Sequence, residues 1–170
     1  GLDTVLGPEM KSTGEAMGHG PTFGTAYLKA MKGGNKTIPT TGTVFLSVSN
    51  KLKLEFGDVA QELIDLGFNL IATKGTAAHL RKKGIDSKVI WRISDRKQPD
   101  ILSVMRNKKV DLIINLPTGR RAATDGAQMR RLAVELGIPF ITTITGAKAA
   151  INSLKEGEAE YLEPLKKINI

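Results

Sequence analysis

The chain has 170 residues, 41% of them hydrophobic and 25% charged, the balance of one globular domain with or without a short attached segment, and it is long enough to bury a core unaided. It has no cysteine and only two histidines, His19 and His79, which excludes disulfides, thiolate metal sites and cysteine nucleophiles and disfavours a histidine-rich metal site. The net charge of +8 favours anionic partners, but aromatics are only 5% and the basic residues are scattered, so neither nucleic acid nor, without a long apolar run, a membrane is the expected partner.

The first stretch, Gly1 to Thr41, is rich in Gly, Thr, Lys and Pro and has little periodicity. It has no signal-peptide pattern and no initiator Met, so we expect a cytoplasmic protein and a piece of something longer. One helix is predicted around Thr22 to Met31, where Phe23, Ala26, Tyr27 and Ala30 fall at helical spacing. Lys32 to Thr41 reads as a linker, so the predicted units are residues 1–41 and 42–170.

From Gly42 the pattern becomes regular. GTVFLSV at 42–48 predicts a buried strand. Phe56, Val59, Ala60, Leu63 and Ile64 predict an amphipathic helix stopped by Gly67. FNLIAT at 68–73 is a second strand, followed by a short helix from Thr76 to Lys83. SKVIW at 87–91 is a third, then a helix from about Asp100 to Lys108. VDLIINL at 110–116 is a fourth, followed by a helix carrying Met129, Leu132, Ala133 and Leu136 and stopped by Gly137. IPFITT at 138–143 is a fifth, with Thr145 capping a last helix through Leu154. Strands that are apolar on both sides and alternate with helices predict an α/β fold, a doubly wound three-layer parallel sheet of about five strands. Ligands of such sheets sit at the C-terminal strand ends.

Two polar turns fall at that edge. Thr73-Lys74-Gly75-Thr76 follows the second strand, and Asn115-Leu116-Pro117-Thr118-Gly119 with Arg120-Arg121 follows the fourth. Glycine lets backbone approach an anion, and a helix N-terminus offers free N–H groups. Lys53 and Arg92, after the first and third strands, belong to the same edge, so a phosphate cradle is expected there. A Gly-Thr after a strand also serves as a plain turn and cap. Arg120-Arg121 and Arg130-Arg131 suit a solvated surface or docking face, Lys82-Lys83 a solvated helix end, and His79 packing. No GxxxxGK(S/T) or GxGxxG occurs. Asp111 starts a strand at the wrong edge, and Asp125, just before a helix, reads as an N-cap, so no general acid or base is expected.

GTVFLSVSNK at 42–51, TKGTAAHL at 73–80 and DLIINLPTGRRAATDGAQMRRLAVELGIPFITT at 111–143 resemble the methylglyoxal-synthase-like domain. The GRR…D…MRR…IPF.TT order is similar to the C-terminal domain of carbamoyl-phosphate synthetase large subunits, and LGPEMKSTGEAMG at 6–18 resembles the end of their second ATP-grasp half. The resemblance implies a regulatory part with no catalytic residues and no cofactor of its own. ATP and Mg (or Mn) belong to ATP-grasp parts upstream of Gly1. It also implies a nucleoside monophosphate effector, UMP or IMP, and partnership with the rest of the large subunit and a glutaminase small subunit, with homo-oligomers formed through the parent enzyme.

By position, Lys53, Thr73, Gly75, Thr76 and Asn115 match the family's effector contacts, and Arg92 stands where Lys is common. Leu116 and Pro117 replace two threonines, with Thr118 placed to compensate. Phe140-Ile141-Thr142 replaces a Tyr-Asp-Thr stretch, so ornithine is not expected to bind. A methylglyoxal synthase acting on dihydroxyacetone phosphate is the alternative, but the Gly-Gly-Asp-x-Gln order and a histidine after His79 are missing. The cyclohydrolase half of the bifunctional purine enzyme shares only the opening and the TKGT-like turn.

Overall fold

The computed structural model describes residues 16–34, 37–117 and 120–156, with the side chains of 120–123 outside the description. The elements run α1 (Phe23–Gly33), β1 (Thr43–Val48), α2 (Lys53–Asp65), β2 (Asn69–Thr73), α3 (Lys74–Lys82), β3 (Lys88–Ile90), α4 (Ile101–Arg106), β4 (Leu112–Leu116), α5 (Arg120–Leu136), β5 (Phe140–Ile141) and α6 (Ile144–Glu156). The five strands form one parallel sheet in the order β3-β2-β1-β4-β5. The doubly wound three-layer sheet expected from the sequence is therefore the fold observed.

Strand alternation divides the core in two. Val44, Leu46 and Val48 of β1 and Leu112, Ile114 and Leu116 of β4 meet Phe56, Val59 and Leu63 of α2, Leu80 of α3, and Ala147 and Ile151 of α6. Phe45 of β1 and Ile113 of β4 point the other way, onto Ile101 and Met105 of α4 and Met129 and Ala133 of α5. Both faces are covered, which is why the strands read as unbroken apolar runs. Helices α2, α3 and α6 thus lie on one face, α4 and α5 on the other. The winding reverses between β1 and β4, so the connections that follow them leave toward opposite faces and a crevice opens between them.

Gly67, Gly84 and Gly137 follow α2, α3 and α5 with φ of 87°, 77° and 70°, where a Cβ is strained. After α2, the N–H of Phe68 returns to the carbonyl of Leu63 and that of Gly67 to Ile64, closing the helix end. At the N-terminal sheet edge the Asp111 carboxylate accepts from the Thr43 N–H at 2.7 Å, a structural bond that joins β1 to β4.

Two local expectations are corrected. The last helix is capped by Thr143, whose hydroxyl accepts from the Gly146 N–H at 3.0 Å; Thr145 lies inside α6. Helix α5 starts at Arg120, nine residues before Met129, so Asp125 is within the helix and not its N-cap. Within this part of α5, Asp125 lines the cleft.

Helix α1 is capped by Thr22, which accepts from the Thr25 N–H at 3.2 Å. It lies against α6: the Thr22 hydroxyl donates to Glu156 at 2.5 Å, and Tyr27, Leu28 and Met31 join the core cluster beneath α6. Ile38, in the stretch read as a linker, is 3% exposed.

Candidate functional site: an anion cleft at the strand ends

A cleft of about 830 Å³ opens at the C-terminal ends of β1 to β4. Its floor is Phe45, Ile101 and Met129, and its walls come from three places: the β1–α2 turn, the start of α3, and the β3–α4 segment facing α5. Lys53, Thr73, Lys74, Gly75, Thr76, Arg92 and Asn115 all line it. Thr118 and Gly119 lie outside the described residues, so their placement is not part of the site described.

The β2–α3 junction is tighter than expected. Thr73 ends the strand and Lys74 begins the helix, so Thr73-Lys74-Gly75-Thr76 is the N-cap and first turn of α3 and not a free turn before it. Thr73 does not cap the helix with its hydroxyl. It donates instead to Thr76 Oγ1 at 3.0 Å, and Thr76 Oγ1 also accepts from the Val48 N–H at 3.0 Å. The Thr76 hydroxyl is thus spent locking α3 to the end of β1. What the first turn presents to the cleft is its backbone N–H groups and the positive end of the helix dipole.

Lys53 opens α2 across the same corner. Its ammonium donates to Asn50 Oδ1 at 2.7 Å, and a Cβ built at Gly75 would stand 3.4 Å from Nζ. Among the described residues no carboxylate pairs with Lys53 or Lys74. Burial pushes the Lys53 ammonium below its usual 10.5, with no acid to hold it up. An unmatched cation beside an uncapped helix start suits an anion by charge and by donor count.

The opposite wall is internally paired. Arg92 donates to Asp95 through Nη2 at 3.0 Å and Nε at 3.3 Å. Those bonds raise the guanidinium and hold the Asp95 carboxyl below its usual range, against the desolvation that opposes both. Asp125, reaching from α5, accepts from the Ser94 hydroxyl at 2.8 Å and pins the 3₁₀ turn Ile93–Asp95. Arg92 is therefore in the cleft with its charge already engaged. Trp91, Ser94 and Asp95 line this wall and carried no sequence signal of a site, although Asp95 three residues after Arg92 is the spacing of an ion pair. Lys97 sits 4.6 Å over the Trp91 ring.

Asn115 projects from β4 on the Phe45 side. It is 2% exposed, and its Nδ2 has no partner. Leu116 turns its side chain into the α2–α6 core, so the residue standing in place of a threonine offers the cleft backbone only. His79 is not among the cleft-lining residues, and among the described residues no group of three or more His, Cys, Asp or Glu converges to hold a metal. No helix among them is long and apolar enough to cross a membrane.

A profile of the MGS-like domain matches residues 55–142, just over half of the chain. The chain belongs to the MGS-like domain family. An MGS-like fold is also found in the crystal structure of a methylglyoxal synthase from Elizabethkingia anophelis, which superimposes with a TM-score of 0.57 over 68% of this chain and 80% of that one; at 19% identity the likeness is one of fold alone. Among curated relatives, the chain is 50% identical over 155 residues to the carbamoyl phosphate synthase large chain, C-terminal section, of Methanocaldococcus jannaschii. It is 46% identical over 156 residues to the same section from Methanopyrus kandleri, and 43% identical over 163 residues to the carbamoyl phosphate synthase large chain of a Nostoc species. These alignments take in 91%, 91% and 96% of this MGS-like chain but only 25%, 29% and 15% of the relatives, so the chain spans a minor part of their length.

Proposed function

We propose that this MGS-like chain is the regulatory part of a carbamoyl-phosphate synthetase large subunit and that its cleft binds a nucleoside monophosphate such as UMP or IMP. The observation that carries the reading is the Lys53 ammonium, with no carboxylate partner among the described residues, beside the uncapped start of α3, a seat suited to a dianionic phosphate. The names of the relatives supply the enzyme context. In this reading the phosphate takes Lys53, Lys74 and the N–H groups of Gly75 and Thr76, while the sugar and base extend over Asn115 toward Trp91. ATP, Mg or Mn, and the glutaminase small subunit serve the rest of the parent enzyme, a cytoplasmic ligase supplying carbamoyl phosphate to pyrimidine and arginine synthesis.

Regulation follows by linkage. An effector changes activity only through unequal affinity for two arrangements of the domain against its neighbour. Helix α1, seated on α6, is the segment through which such a difference passes toward residues 1–15.

The test is thermal unfolding in phosphate-free buffer with UMP, IMP, uridine and inorganic phosphate. A ligand at a hundred times its dissociation constant adds about 2.7 kcal/mol, or roughly 5 to 10 °C for a domain of this size. A shift with UMP or IMP well above that with phosphate alone is expected. Equal shifts for nucleotide and phosphate would sink the nucleotide reading. Ornithine is expected to give no shift, since Ile141 stands where its carboxylate partner would; saturable calorimetric binding of ornithine would contradict this.

A further inference from the structure

Helix α1 is fastened to the domain differently from the helices that cover the sheet. Helix α2 buries Phe56, Val59, Ala60 and Leu63, whereas the residues that α1 buries are Gly24 and Thr25. Its larger apolar side chains Tyr27, Leu28 and Met31 are only partly buried, and Phe23 is exposed. The segment is also closed on itself. Thr22 and Thr25 cap the helix reciprocally, and Gly18 folds back so near α1 that a Cβ there would collide with the Ala26 carbonyl. At its other end, beyond Gly33 and Gly34, Ile38 is buried in the core and tethers α1 to the domain.

On α6 it meets a carboxylate. The Thr22 hydroxyl donates to Glu156 at 2.5 Å, and a Cβ built at Gly24 would stand 2.8 Å from Glu156 Oε2. Both residues are poor choices for their own helices. Glu156 ends α6, where the helix dipole disfavours a negative charge, and Gly24, in the first turn of α1, gives up helix propensity. Each is explained by the other. Glu156 meets the positive N-terminal end of α1, and Gly24 clears the space that the carboxylate fills. The neighbouring Lys155 holds Glu62 of α2 at 3.1 Å, so the last turn of α6 is anchored to the domain on one side and grips α1 on the other.

We propose that α1 is a releasable strap, latched by Glu156, which opens from the α/β domain as a unit while the sheet stays folded. The latch operates with or without a ligand in the cleft. Under the functional reading above, it sets the state of the segment that leads to residues 1–15.

The test is amide hydrogen exchange, read by mass spectrometry, on the ligand-free 170-residue chain. In the native chain the amides of residues 23–33 are expected to exchange together, about a hundredfold or more faster than those of β1 and β4. Glu156→Ala is expected to speed exchange in α1 about fivefold or more and to leave β1 and β4 within about twofold. Gly24→Ala separates a latch from plain packing by sign. It should speed α1 exchange in the native background and slow it in the Glu156→Ala background, where the seat is empty and alanine is the better helix former. A common rate for α1 and the strands in the native chain overturns the proposal. So does unchanged α1 exchange in Glu156→Ala, an arm that stands even where Gly24→Ala does not fold. Faster exchange from Gly24→Ala in both backgrounds overturns it as well, because Gly24 would then serve some neighbour other than Glu156.

Discussion

The two walls of the cleft carry similar numbers of charged groups and use them in opposite ways. On the α2–α3 side, Lys53 donates to the neutral amide of Asn50 and has no carboxylate partner among the described residues, and α3 starts without a side-chain cap. On the β3–α4 side, Arg92 is held by Asp95, and Asp125 by Ser94. The first wall keeps its electrostatic capacity for something not yet bound; the second has already used its own to fix a short turn. Counting basic residues near a cleft would rank Lys53 and Arg92 together, yet their partners separate them. A cation that burial has pushed below its usual pKa gains on meeting an anion, because the anion restores the charge state that burial disfavours. An arginine in a fork with a carboxylate must give up that fork first.

The strongest way to break this contrast is Lys53→Met. It should weaken UMP and phosphate binding about tenfold or more, the scale of one charge-assisted hydrogen bond, and leave the ligand-free melting temperature unchanged or slightly higher. Comparable loss from Arg92→Met would erase the distinction between the walls.

Next in size is Thr76→Val. Its hydroxyl serves β1 and Thr73, not the cleft, so the change strands the Val48 N–H and should cost about 1 to 2 kcal/mol of stability. That is a fall of roughly 3 to 8 °C in Tm, with affinity little altered. Unchanged Tm with lost binding would return the hydroxyl to the ligand.

Affinity should also depend on alkaline pH. The phosphate prefers protonated Lys53, whose pKa lies below 10.5 in the ligand-free chain. Binding should therefore decline as pH rises through that lowered value, before an ordinary lysine would lose its proton. The Lys53→Met variant should lack this limb. The smallest effect is that of Asp95→Asn, which frees Arg92 at an exposed pair worth at most about 1 kcal/mol. It should tighten phosphate binding no more than about fivefold, and a calorimetric titration showing weaker binding would mean that the fork itself shapes the site.

Much of this was legible in the residues. Five apolar runs alternating with helical stripes gave the sheet and its class, and Gly67 and Gly137 marked helix ends because few other residues tolerate a positive φ there. Lys53, the Thr73–Thr76 stretch, Arg92 and Asn115 were expected at one edge and do line one cleft. Less legible were the roles within that edge. The start of α5 escaped notice because residues 120–128 carry no apolar stripe. Trp91 was assigned to the third strand, and nothing in its spacing marked it as cleft wall. The Thr76 hydroxyl looked like a ligand contact because a sequence shows the group but not the Val48 N–H that occupies it.

The sequence alone determined the fold class, because periodicity is a property of order, and it raised the expectation of an anion at the C-terminal strand edge. Which donors remain free was decided only by the tertiary structure. Hydrogen-bond capacity is consumed pairwise, often between residues far apart in the chain, so the Thr76 hydroxyl taken by Val48 and the Asn115 amide left without an acceptor exist as distinctions only once the strands are side by side.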